Sequence, residues 1–108
     1  MAKDERKHMV HPLTYEKIAL QDGRVLVLKE RLEVPLERRH DRGIVWYASN
    51  DELGIHSYSP DREIVEKDIE DQIATFYTTY VESKTPPTGN KIELSRKLKD
   101  MVKEIRKD

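Results

Sequence analysis

Apolar and polar residues alternate along the first third of the chain in the manner of β-strands. Apolar-rich runs at 16–20 and 24–28 flank Asp22-Gly23, and glycine readily adopts the positive φ that a tight turn between two strands requires. The sequence therefore predicts an N-terminal β-hairpin. Leucine and valine then occupy nearly every even position of 26–36, which is the period of a strand with one buried face.

Glu30 interrupts this apolar face. Either one strand ends there and another begins near Arg31, or a β-bulge redirects the side chains that follow. Pro35 has no amide hydrogen to donate to a ladder, so it predicts an edge strand or a strand that turns this position outward.

The middle of the chain predicts two further strands. A polar turn at 39–43 leads into the β-branched and aromatic run 44–49, and a reversal at 50–54 leads into a short strand at 55–58. Together with the hairpin, these runs predict an antiparallel sheet of three to five strands.

Ser59-Pro60-Asp61 predicts the start of a long helix that runs from Pro60 to Glu82. Serine is a favourable N-cap, proline is tolerated at the first helical position, and early acidic residues interact well with the helix dipole. Apolar residues spaced by three or four predict a stripe that covers the sheet. Its members are Val65, Ile69, Ile73, Phe76 and Tyr80, widened by Tyr77 and Val81.

The C-terminal part predicts a second helix. Pro86-Pro87 stops the first helix and indicates a stiff linker at 84–90. Asn90 and Glu93 have the spacing of a capping box, and the segment 91–108 carries an apolar stripe that is predicted to dock at one end of the domain or to pair with a second copy of the chain. The stripe consists of Leu94, Leu98, Met101, Val102 and Ile105.

The predicted fold class is α+β, with one long helix packed on one face of a small antiparallel sheet and an additional C-terminal helix. At 108 residues the chain is expected to form one domain. Residues 1–12 are predicted to be a flexible arm because they are mostly polar or charged. Residues 13–83 are predicted to form the domain, followed by the linker at 84–90 and the helix at 91–108.

Composition narrows the classes of function. The 20 Lys and Arg residues nearly cancel the 21 Asp and Glu residues, so the chain lacks the overall positive field of a dedicated nucleic-acid-binding protein. The absence of cysteine excludes disulfides, thiolate catalysis and sulfur-ligated zinc. No apolar run has the length of a membrane span, and the expected location is the cytoplasm.

The ionisable residues do not form a recognisable catalytic or metal-binding pattern. Of the four histidines, His8 and His11 are close in sequence but lack a third predicted ligand, so no metal site, cofactor or catalytic residue is predicted. An enzyme would require folding to bring Glu30, His56 and an arginine into one pocket.

Arginine and aromatic residues cluster around one predicted turn. Guanidinium groups and aromatic rings together are typical of RNA-binding surfaces, but the neighbouring acidic residues favour an ordinary charged hairpin. Strand alternation allows only one of the two rings to be fully buried, and the other is then a candidate anchor for a protein partner. The candidate partner-binding residues are Arg38, Arg39, Arg42, Trp46 and Tyr47.

Several short segments between Leu32 and Val81 carry a family resemblance. They are the strand 32–37, the run 44–48, the loop 50–55, and Ser57-Tyr58-Ser59 before a helix with Glu63 in its first turn. This order resembles the HicB-type antitoxin domain, a small sheet with one helix that is related to part of the double-stranded-RNA-binding fold. The chain departs from that family in Glu63-Ile64, where Glu-Ala is common, and in its additional N-terminal hairpin.

The resemblance implies a non-catalytic module that binds a small protein partner, a ribonuclease toxin, or that has lost this partner. The acidic start of the long helix is a second candidate contact region, since it could bind a basic protein. RNA binding through the turn that carries Arg38, Arg39 and Arg42 is the alternative function.

Overall fold

The computed structural model describes residues 7–40 and 42–107. Within these ranges the chain forms a five-stranded sheet and two α-helices, so the predicted α+β class is confirmed. The elements in chain order are β1 (Lys7–Ala19), β2 (Arg24–His40), β3 (Ile44–Asn50), β4 (Ile55–Ser59), α1 (Arg62–Phe76) with a π-helical extension at Tyr77–Val81, α2 (Lys91–Met101) and β5 (Val102–Lys107).

The sheet is organised around β2. The strand order is β1-β2-β3-β4, and β5 also pairs with β2. Residues 24–28 of β2 pair with β5, whereas residues 36–40 pair with β3, both antiparallel. Because 17 residues are far more than one short neighbour can match, β2 supports different partners at its two ends.

Glu30 lies inside β2 and does not end a strand. The strand is continuous through Glu30, whose side chain is exposed, so the alternative in which a strand ends there is wrong. The register instead shifts between Val27 and Leu28, opposite β5. Pro35 lies outside both paired segments, so its missing amide hydrogen interrupts neither of these two ladders.

The first hairpin is confirmed. The amide of Leu20 donates to the carbonyl of Arg24 at 2.8 Å, and Gly23 adopts a φ of +93° in the turn. Strand β1 extends back to Lys7, however, so the prediction of a flexible arm is wrong from Lys7 to Pro12. A polar stretch can form a strand here because ladder hydrogen bonds use the backbone and need no apolar side chains. Residues 1–6 lie outside the described residues.

The contacts divide the chain into two compact units that do not follow the predicted division at 84–90. The first unit comprises the described residues up to Thr14 together with Glu33–Ile69, and the second comprises Tyr15–Leu32 and the described chain from Glu70 onward. The buried apolar residues of the first unit are Leu13, Val34, Leu36, Ala48, Leu53, Ile55, Val65 and Ile69. Those of the second are Tyr15, Ile18, Leu20, Leu26, Leu28, Ile73, Ala74, Tyr77, Leu94 and Leu98.

Helix α1 begins two residues later than predicted. The Asp61 side chain accepts a hydrogen bond from the amide of Glu63 at 2.9 Å, and the Asp61 carbonyl accepts one from Val65 at 3.3 Å. Asp61 is therefore the N-cap. Ser59 instead accepts the amide of Asp61 at 3.1 Å, which stabilises the bend that precedes the helix.

The buried face of the long helix contains four large residues spaced by four, with Ala74 buried beside them. Val65, Ile69, Ile73 and Tyr77 are buried, which confirms these four predicted members of the stripe. Phe76 and Tyr80 are only half-buried, and their ring centroids lie 5.7 Å apart. The prediction that these two rings belong to the core is therefore wrong. After Ile73 the buried face continues at Tyr77 and not at Phe76.

Helix α2 is shorter than predicted. It ends at Met101, and Val102–Lys107 forms β5, so the prediction that the helix continues is wrong from Val102 to Lys107. In this segment, backbone hydrogen bonds with the start of β2 replace those that one further helical turn would make. Leu94 and Leu98 are buried and Ser95 donates to the Tyr80 carbonyl at 2.8 Å, so α2 packs against the end of the long helix.

Arg24 connects the first turn to the end of the long helix. Its two terminal nitrogens donate to the two carboxylate oxygens of Glu82 at 2.7 Å each, and its Nε donates to Asp22 at 2.7 Å. The hydrogen bonds from Arg24 lower the pKa of Glu82 below its ordinary value of 4.5. A bidentate arginine–carboxylate pair is geometrically specific, so it helps to fix the end of the helix.

Two isoleucines of α1 provide a matched test of the core. Ile69 is fully buried, whereas Ile64 is 56% exposed. We expect Ile69→Ala to lower the free energy of unfolding by about 2–5 kcal/mol because it removes buried methyl groups and leaves a cavity. Ile64→Ala should change it by less than about 0.5 kcal/mol. Urea denaturation followed by circular dichroism measures both, and equal losses would contradict the described helix face.

The Glu82–Arg24 pair predicts a pH-dependent stability. Since the folded-state pKa of Glu82 lies below its ordinary value of 4.5, the stabilisation is present above that pH and is lost as the pH falls through the lowered pKa. We expect Glu82→Gln to lower the melting temperature by a few degrees at neutral pH. The difference from the wild type should shrink in acid below pH 4.5, and a difference that is constant with pH would contradict the pair.

Candidate binding surface on the open face of the first unit

Strand alternation gives β2, β3 and β4 two distinct faces in the first unit. Leu36, Ala48 and Ser57 are register partners across the three strands and are all buried. Their neighbours one position along must point to the opposite side, since successive side chains of a strand alternate. That side is called the open face here, and it carries Glu37, Arg39, Val45, Tyr47, Ser49, His56 and Tyr58.

A row of three register partners crosses the open face. Glu37 pairs with Tyr47, and Tyr47 pairs with Tyr58 on β4. Directly opposite side chains in antiparallel strands are about 4.5–5.5 Å apart at Cβ, so the two tyrosines are immediate neighbours. Tyr58 is 70% exposed, the most exposed of the large hydrophobic side chains that the structure describes.

Arg39 is held in place on this face by two contacts. Its guanidinium carbon lies 4.2 Å from the centroid of the Tyr47 ring, and its Nε donates to the Glu37 carboxylate at 2.8 Å. The cation–π contact and the ion pair restrict the side chain from two directions. The result is an ordered patch of Glu37, Arg39, Tyr47 and Tyr58, whose one positive charge is balanced locally.

The five residues predicted as a partner-binding cluster are not brought together on one surface. Arg39 and Tyr47 lie on the open face, whereas Arg38 and Trp46 are register partners on the opposite, buried side. The Arg38 Nε is buried and has no hydrogen-bond partner among the described residues. Arg42 lies in the turn with a φ of 60°, and neither Trp46 nor Tyr47 is fully buried.

Tyr58 belongs to the surface but is not among the predicted site residues. Along β4, Ile55 and Ser57 lie on the buried side and Tyr58 lies on the exposed side. The register between β3 and β4, which places Tyr58 beside Tyr47, depends on the length of the connecting loop and has no direct signal in the sequence. A tyrosine in a short strand is also as common in a core as on a surface.

Glu30 lines an open cavity of about 380 Å³ in the second unit. The described residues around it include two further cations and one further acid, but no histidine. The predicted condition for an enzyme, in which Glu30 and His56 share a pocket, is therefore not met in this cavity. The lining residues are Lys29, Glu30, Arg31, Leu32, Asp100 and Met101.

Two further features concern the described ranges 7–40 and 42–107. No group of three or more histidine or acidic side chains there is arranged to hold a metal ion. None of the helices in these ranges combines the length and the apolar character needed to cross a lipid bilayer.

The chain matches no protein-family model, no curated protein and no solved structure. The likeness to the HicB-type antitoxin domain therefore stays a prediction, carried by the short segments between Leu32 and Val81.

The contact between Arg39 and Tyr47 can be measured directly. We expect a double-mutant cycle with Arg39→Ala and Tyr47→Leu to give a coupling free energy of about 0.5–1 kcal/mol in favour of the wild-type pair, as for an exposed cation–π contact. Chemical denaturation of the wild type, the two single variants and the double variant supplies the four values. Strictly additive losses would contradict the stacked geometry.

Proposed function

We propose that this protein is a non-catalytic binding module whose open face docks on a protein partner. The observation that carries the proposal is the position of Tyr58, which is 70% exposed beside Tyr47 and Arg39. Tyrosine and arginine are the residues most enriched, with tryptophan, in the energetic centres of protein interfaces. Tyrosine has only two side-chain torsions, so covering the Tyr58 ring costs little conformational entropy. The contacts of Arg39 with Glu37 and the Tyr47 ring already restrict the arginine.

The balance of charge on the open face favours a protein over RNA. Glu37 neutralises Arg39 at 2.8 Å, so the patch presents little net positive charge to phosphate groups. Arg38 lies on the opposite side of the sheet from Arg39, so the turn does not combine its arginines into one basic surface. Phosphate contacts supply most of the affinity of nucleic-acid binding, and this geometry offers few of them.

The nature of the partner follows from the resemblance to HicB-type antitoxins. That family binds a small ribonuclease toxin, and we therefore propose a small basic protein as the partner. The acidic first turn of α1, with Asp61 and Glu63 exposed, supports this choice as a second region for a basic surface. The absence of cysteine from the chain supports a place for the module in the reducing cytoplasm.

The proposal is tested by comparing the proteins that co-purify with the wild type, Tyr58→Ser, Tyr47→Leu and Ile92→Ser. Ile92 is a matched control because it is 57% exposed but lies on α2. We expect a small basic protein to be retained by the wild type and by Ile92→Ser, and to be lost with either tyrosine variant. Titration of the purified partner should show that Tyr58→Ser raises the dissociation constant by about thirtyfold, which is the effect of one interface hot spot.

Two results would contradict the proposal. The first is a partner that all four proteins bind equally, because the open face would then not be the contact. The second is retention of RNA in place of protein, with an affinity that falls steeply with added salt and with Arg39→Ala, because that behaviour is the signature of phosphate contacts.

A further inference from the structure

The sheet has three strands that pair with one neighbour only among the described residues, namely β1, β4 and β5. Such strands present unpaired backbone groups that another chain can pair with, and proteins commonly prevent this with charged residues or proline in the strand. β1 contains Pro12, Glu16 and Lys17, and β5 contains Lys103, Glu104, Arg106 and Lys107. Both strands therefore carry the usual protection.

β4 differs from these two strands. Its sequence is Ile55-His56-Ser57-Tyr58-Ser59, with no lysine, arginine, acid or proline, in a chain of which 38% is charged. The strand begins after the turn at Gly54 and ends before Pro60, so the proline lies next to the strand and not within it. β4 lies at the end of the strand order and pairs only with β3 among the described residues, so its other backbone edge has no strand partner there.

The sequence of β4 is also compatible with pairing to itself. In an antiparallel pair with a two-fold axis at Ser57, each His56 lies opposite Tyr58 of the partner subunit, and each Ile55 lies opposite Ser59 of the partner subunit. No like charges face each other, the two small Ser57 side chains meet at the axis, and an aromatic ring faces an imidazole in both of the pairs that flank Ser57. Cross-strand pairs of this kind contribute favourably.

The register extends this arrangement across both subunits. Tyr58 is the partner of Tyr47, and His56 is the partner of Ser49. The row of Glu37, Tyr47 and Tyr58 in one subunit would therefore continue into His56 and Ser49 of the partner subunit. The two open faces become one surface with two-fold symmetry.

We propose that β4 pairs antiparallel with β4 of a second copy of this chain, around a two-fold axis at Ser57, so that two sheets join edge to edge. We expect a second copy of the chain as the partner of this strand, because β4 is complementary to itself in this register and two-fold pairing is the commonest form of self-association. This inference does not depend on the proposed protein partner.

Charge substitutions test the register. A variant with His56→Lys and Tyr58→Lys places lysine opposite lysine in both of the pairs that flank Ser57, and a variant with His56→Glu and Tyr58→Glu places acid opposite acid there. We expect analytical ultracentrifugation to show a wild-type dimer, and each variant alone to be monomeric. An equimolar mixture of the two variants should form a mixed dimer, which also shows that both remain folded. Thr75→Lys with Thr79→Lys, at exposed positions of the long helix, should leave the dimer intact.

A single cysteine tests the axis independently, since the chain has none of its own. Directly opposite residues of antiparallel strands have Cα atoms about 4.5–5.5 Å apart, within the range that a disulfide spans. Ser57→Cys should therefore give a covalent dimer on mild oxidation, whereas Ser83→Cys, in an exposed loop, should not.

Three results would overturn the proposal. One is a wild type that is monomeric at every concentration measured, which would leave β4 for the strand of a different protein. Another is a double-lysine variant that dimerises as tightly as the wild type, because the interface would then lie elsewhere. The third is a dimeric wild type whose Ser57→Cys variant does not cross-link more efficiently than Ser83→Cys.

Discussion

Backbone pairing along β2 is the interaction on which the other elements depend. Residues 24–28 of β2 pair with β5 and residues 36–40 pair with β3. β1 is also a neighbour of β2 in the sheet. A strand of 17 residues exposes many donors and acceptors, each of which must find a partner when buried. This requirement explains why polar segments at both ends of the chain form strands: they complete the ladders of β2.

The same strand alternation separates the core from the candidate binding surface. Leu36 and Ala48 are register partners with buried side chains, and the alternation of side chains along each strand places their neighbours Glu37 and Tyr47 on the open face. A binding surface built on strands is held by the ladder beneath it and needs little ordering when a partner arrives. Arg39 adds to this rigidity through its contacts with Glu37 and the Tyr47 ring.

Local signals predicted the elements whose causes are local. Asp22-Gly23 predicted the first turn because glycine can adopt a positive φ, as Gly23 does, whatever the rest of the chain does. The polar residues around Gly43 and Gly54 predicted the next two reversals. The spacing of Val65, Ile69 and Ile73 predicted the buried face of α1. The errors at Ser59 and Phe76 are shifts along the chain, since several neighbouring residues there satisfy the same capping or spacing rule.

The sequence by itself therefore determined the α+β class, the order of the middle strands and the long helix, because turn residues and hydrophobic period act within a few positions. Only the tertiary structure decided that Val102–Lys107 is a strand, that Tyr58 lies beside Tyr47, and that Arg39 and not Arg38 lies on the open face. Each of these depends on which distant backbone a segment pairs with and in which register. A shift of one residue exchanges the two faces of a strand, and the hydrophobic pattern of a short polar strand is too weak to specify it.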